Sequence, residues 1–168
     1  MPTLFSVEGP FTVPTYEGKA ARTITPDNVA TFWRTHTGFR RERGCYVFGI
    51  RGRGLTPGYI GKATKSFKQE VFAPQKLANY LRFLADVRKD TPVIFLIVAP
   101  RKRGRANEAH IGDLETFLIQ AGVNANDELL NVKGTKKAEW GIAGVLRSSR
   151  GNPKKSAKDF KRLMKLAK

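Results

Sequence analysis

GCYVFGIRGRGLTPGYIG, residues 44–61, holds two short apolar runs joined by a basic, glycine-rich stretch. Cys45–Ile50 is dense in β-branched and aromatic residues, and RGRGLTPG carries the turn chemistry that ends one strand and lets another begin. The stretch therefore predicts a β-hairpin that sets Tyr46 and Tyr59 side by side. Alternate residues of a strand share a face, and a glycine at 44, 58 or 61 leaves room for another group to approach the backbone between the tyrosines.

Outward from the hairpin, the segments alternate in character. Residues 1–24 mix Gly9, Pro10, Pro14 and Gly18 with short alternating pieces and read as an irregular arm or a weak strand pair. Thr25-Pro26-Asp27 has a capping hydroxyl, a proline suited to the first helical position and an acid against the dipole, so a helix is expected to about Thr35, with Val29, Phe32 and Trp33 on its apolar face. His36, at its end, reads as solvated. After Gly61, KATKSFKQEVFA reads as a short helix with Ser66 near its start, and Pro74 either kinks it or opens a second. Leu77, Tyr80, Leu81, Leu84 and Val87 recur at helical spacing through Lys89. Val93–Ala99 is an unbroken β-rich run, the pattern of a central strand covered on both faces. Ile111, Leu114, Phe117, Leu118 and Ala121 predict another helix from Asn107, with Gly122 placed to end it. A strand is expected around Trp140–Leu146, then a lysine-rich helix whose Phe160, Leu163, Met164 and Ala167 form a narrow stripe for docking. The divisions are an arm and helix at 1–43, a core at 44–132 and a basic strand and helix at 133–168, all in one globular domain.

The composition names a partner class. Against 14 Asp and Glu stand 31 Lys and Arg among 168 residues, a formal charge of +17. Such an excess suits a polyanion, and nucleic acid releases condensed counterions at each phosphate a cation meets. Twelve of the basic residues fall in 132–168, beside only Glu139 and Asp159. The loop PRKRGR at 100–105 and the turn between the apolar runs add Arg51, Arg53, Arg101, Lys102, Arg103 and Arg105 as candidate phosphate contacts, with Lys65, Lys136 and Lys137 elsewhere. A lone Cys45 makes no internal disulfide, no leader pattern opens the chain, and Val93–Ala99 is far short of a bilayer span. A cytoplasmic or nucleoid-associated protein with no membrane partner is expected.

Gly44-Cys45-Tyr46 and Tyr59-Ile60-Gly61, separated by 12 residues, with Glu115 in LETFLI and Asn131 in LLNV downstream, resemble the signature of the GIY-YIG nucleases. That family includes homing endonucleases, some restriction endonucleases and the incision domain of a bacterial excision-repair enzyme. The likeness covers about residues 44–132, with Cys45 where the family usually has an aliphatic residue. It implies an α+β fold, a small three-stranded antiparallel sheet flanked by helices, and hydrolysis of phosphodiesters with one Mg²⁺ or Mn²⁺; between the two nucleic acids, DNA is favoured over RNA and the choice stays open. By the resemblance, Tyr46 is the general base or orients the water, Tyr59 holds water or phosphate, Glu115 ligates the metal, and Asn131 closes the site. Lys62 beside the tyrosines would supply the charge that a phenolate needs. The family's arginine on the helix after YIG is missing: no arginine occurs between Arg53 and Arg82. Either Lys68, with Lys65 one turn earlier, takes that role, or a distant arginine does, or the chain binds nucleic acid without efficient turnover. Without the motif, Tyr46 and Tyr59 read as cross-strand partners and Glu115 as a salt-bridged carboxylate on a helix edge.

Overall fold

The computed structural model describes residues 3–100, 107–124, 140–146 and 151–166, the side chains of 123 and 124 excepted. The apolar run of the central strand and the hairpin beside it account for most of the architecture. Strand β1 is Thr3–Thr12, β2 Tyr16–Glu17, β3 Arg22–Thr23, β4 Gly44–Arg51, β5 Leu55–Ala63, β6 Thr91–Val98 and β7 Trp140–Ile142. Helices α1 (Pro26–Thr35), α2 (Phe67–Glu70), α3 (Pro74–Ala85), α4 (Glu108–Asn124) and α5 (Lys155–Leu163) complete the α+β chain. None is long and apolar enough to cross a membrane among the described residues.

The main sheet runs β5-β4-β6-β1-β7, antiparallel except for the parallel β1–β7 pair. The expected three antiparallel strands are thus one side of a five-stranded mixed sheet. What the sequence reading missed is β1. Between Glu8 and Phe11 its register with β6 shifts by one residue, and Gly9 and Pro10 occupy the bulge. An extra residue reverses which side chains face which way. Phe5 and Val7 therefore enter one core and Val13 the other, with Phe11 packed beside it, so the strand shows no continuous alternation.

Both faces of the sheet are covered. Cys45, Val47, Phe95 and Ile97 point to the side occupied by α4 and α5; Tyr46, Phe48, Ile50, Ile94 and Leu96 point to the side of α1, α2 and α3. This is why Val93–Ala99 is apolar at every position. Helix α1 begins as expected, with Thr25 and Asn28 exchanging capping hydrogen bonds. Ser66 caps α2, and Pro74 opens α3, which ends at Ala85, before Lys89. Gly122 does not end α4; it lets the helix close on β5 and the C-terminal segment, since a Cβ there would lie 2.9 Å from Ile60 Cδ1 and 3.5 Å from Met164 Cε. Helix α5 docks through Phe160 and Leu163, and Ser156 Oγ donates to the Val7 carbonyl at 2.9 Å. His36 is not freely solvated: its ring lies 4.3 Å from that of Phe11 and 4.6 Å from that of Phe32, centroid to centroid.

Candidate active site

Among the described residues β5 is the edge of the sheet, so one row of its backbone groups has no strand partner there. In the β4–β5 register Tyr46 pairs with Gly61 and Phe48 with Tyr59, which puts both tyrosines on one face with ring centroids 6.3 Å apart. The hairpin does bring the tyrosines together. The space at the glycines is filled from within: a Cβ at Gly61 would collide with the Tyr46 hydroxyl, at Gly58 with the Phe83 ring and at Gly44 with the Ile97 carbonyl oxygen.

Tyr46 has no solvent exposure, and its hydroxyl has no hydrogen-bond partner among the described residues. An unsatisfied buried hydroxyl costs about 1–3 kcal/mol, so its persistence calls for an explanation. Burial pushes its phenol well above the ordinary range, and Tyr59, Glu115 and Glu70 push it further the same way. The group is held protonated. Tyr59, by contrast, is half-buried.

Lys62 gathers the surrounding elements. Its side chain lies on the α4 side of the sheet, where Nζ meets Glu115 Oε2 at 2.9 Å. That hydrogen bond and the carboxylate charge raise the Lys62 pKa. Its backbone carbonyl accepts from Lys76 Nζ at 3.0 Å, and the same ammonium stands 5.6 Å from the centre of the Tyr46 ring. Glu70 positions this lysine, with Oε1 at 3.8 Å, while Oε2 of Glu70 accepts the Lys65 backbone N–H at 2.7 Å. Lys62 is expected from the sequence to supply the cation at the Tyr46 ring, but alternation puts its side chain on the other face, and Lys76 stands at that ring from the first turn of α3.

Lys68 occupies a different place. Phe67 and Val71 are buried, which turns Lys68 outward, into a cleft shared with Lys65, Arg40 and Arg41. Lys65 precedes the Ser66 cap and so is not on the helix. Arg51 and Arg53 lie at the far end of the hairpin, about 17 Å along the strand from Tyr46 at five residues' rise. Asn131, Arg101, Lys102, Arg103, Arg105, Lys136 and Lys137 lie outside the described residues.

Among the described residues no three His, Cys, Asp or Glu side chains cluster as a metal cage. The donor set suits a different arrangement. Glu115 is a single carboxylate, 20% exposed, with one oxygen on Lys62 and the other without a partner among the described residues. Mg²⁺ typically takes one or two protein carboxylates and completes its shell with water and phosphate oxygens. Glu115 fits that role.

Sequence reasoning missed Lys76 and Glu70. A helix opened by Pro74 puts Lys76 in its first turn, but only the packing of that turn on the hairpin shows that the ammonium meets Tyr46. Comparison with protein-family models, curated proteins and solved structures returned no match to this chain.

Proposed function

We propose that the protein is a divalent-metal-dependent endonuclease that hydrolyses phosphodiester bonds of nucleic acid, DNA in preference to RNA. The observation that carries this reading is the arrangement around Gly61 and Lys62 of the outermost strand: a buried hydroxyl unpartnered among the described residues, a second tyrosine and a lysine ammonium on one face, and a carboxylate on the other, in a chain with +17 charge. The order and spacing of Tyr46, Tyr59 and Glu115 resemble those of GIY-YIG nucleases.

Each residue has a role set by its surroundings. Tyr46, held as a phenol, orients the attacking water through its hydroxyl and does not serve as the base; the proton the water loses as it adds passes to solvent. Tyr59, at the more open position, receives the phosphate. Lys76 offers positive charge to the oxygens on which charge develops as the water adds and the leaving oxygen departs. Glu115 would hold Mg²⁺ or Mn²⁺, which when bound supplies a Lewis acid to the phosphate. Lys62 holds the Glu115 carboxylate in place through the 2.9 Å ion pair.

A second reading, binding without turnover, is favoured by one feature: the cation beside Tyr46 is a lysine, which lacks the bidentate fork of an arginine. Supercoiled plasmid, single-stranded DNA and RNA incubated with Mg²⁺, Mn²⁺ or EDTA separate the two. The nuclease reading expects metal-dependent cutting that falls at least about a hundredfold in Glu115→Ala, the scale of losing a transition-state contact. Tight binding with no cutting of any substrate supports the second reading and sinks the first.

A further inference from the structure

A strongly charged concavity lies away from the tyrosines. The 3-10 turn Thr37–Phe39 and the residues after it form one wall, and the approach to α2 forms the other, around a volume of about 890 Å³. Arg40, Arg41, Lys65 and Lys68 line it, with Glu42 the single carboxylate among the lining residues. None of these four cationic side chains has an ion pair or hydrogen bond among the described residues, although like charges held close repel.

The walls are fixed to each other. Phe67 N–H donates to the Glu42 carbonyl at 2.8 Å, Lys68 N–H to the Arg40 carbonyl at 3.1 Å, and Arg43 Nε to the Lys65 carbonyl at 2.9 Å. Three hydrogen bonds across the floor pre-form a cleft whose four cations outnumber its one lining carboxylate, Glu42, and form no ion pair among the described residues. Such an arrangement is stabilised by an anion that brings several negative charges, and it pays little conformational cost on binding.

We infer that this cleft is a second anion site, which grips the phosphate backbone of a nucleic-acid strand beside the bond held at Tyr46 and Glu115; the inference rests on the nuclease reading for that neighbour. Lys65 follows Lys62 by three residues, so the two backbones are at most about 11 Å apart. At about 3.4 Å of axis per phosphate, that spans roughly three nucleotides of one strand. A strand seated at the sheet edge would therefore run over the cleft. Lys68 belongs to this clamp, and its cationic charge sets affinity and register, not the chemical step.

Fluorescence anisotropy in EDTA tests the clamp without requiring cleavage. A labelled duplex and a labelled single strand are titrated across a range of salt against wild type, Arg40→Gln/Arg41→Gln, Lys65→Gln/Lys68→Gln, and the remote exposed pair Lys19→Gln/Lys89→Gln. Each cleft pair is expected to weaken binding about tenfold and to flatten the log–log salt slope by about 1–2, beyond the effect of the remote pair. Thermal melts confirm that each variant is folded. Cleft variants that match the remote pair would overturn the clamp while leaving the nuclease reading intact. So would variants that keep oligonucleotide affinity yet lose binding of inorganic phosphate or of phosphatidylserine vesicles. A wild-type protein that binds neither oligonucleotide would remove the nuclease reading and the clamp together.

Discussion

Lys62 Nζ sits 2.9 Å from Glu115 Oε2, so the carboxylate best placed to hold a metal is already engaged by an ammonium from the strand that carries Tyr59. A half-exposed pair of this kind contributes up to about 1 kcal/mol, little enough for an incoming cation to displace it. Lys62→Met should therefore tighten Mn²⁺ binding by about twofold to fivefold, the range that corresponds to that energy. Isothermal titration with wild type and variant measures it. Identical affinities would place the ion on other ligands.

Tyr46→Phe removes a hydroxyl that has no partner among the described residues. The variant should be as stable as wild type or more stable by about 1 kcal/mol, because the desolvation cost of the group disappears. Metal-dependent cutting should nonetheless fall by at least tenfold, as orientation of the water is lost. Thermal unfolding and plasmid nicking are the two readouts. A clear loss of stability would mean that the hydroxyl is satisfied in the folded protein.

Lys76 and Lys68 are separable by kinetics. Lys76 stands over the Tyr46 ring, whereas Lys68 lines the neighbouring cleft. Lys76→Met should lower the single-turnover rate at saturating substrate by about a hundredfold, the scale of one lost transition-state contact. Lys68→Met should instead raise the protein concentration needed for half-saturation. The reverse pattern would return the role of the missing arginine to Lys68.

His36 links stability to pH. Burial against Phe11 and Phe32 lowers its pKa below the usual value of about 6.5, so the unfolded chain takes up the proton first. Its contribution is complete above that value and is lost as pH falls through it towards the lower folded pKa. The melting temperature of wild type should consequently drop more between pH 7.5 and pH 5 than that of His36→Leu. Parallel profiles would show that the ring is solvated after all.

Local chemistry in the sequence was enough to place several elements. Thr25 with Pro26, Ser66 and Pro74 announce helix starts because capping and proline geometry act within a turn, and the hairpin follows from β-branched runs around a glycine-rich turn. Period-2 alternation also pairs Tyr46 with Tyr59 across neighbouring strands. The N-terminal strand escaped detection because its bulge reverses the alternation midway, and only the partner strand β6 reveals the continuity.

The chain by itself thus determined the basic charge, the tyrosine-bearing hairpin and the candidacy of Glu115. Tertiary structure decided which cation faces which ring. Lys62 and Lys68 lie nearer in sequence to Tyr59 than Lys76 does, but strand alternation turns the first to the opposite face and the buried Phe67 and Val71 turn the second outward. Lys76 reaches Tyr46 because α3 folds back across the sheet edge, where the Lys62 carbonyl holds its ammonium. The physical reason is directional: sequence separation bounds how far apart two residues can be, whereas the face of a strand or helix determines where a charge points.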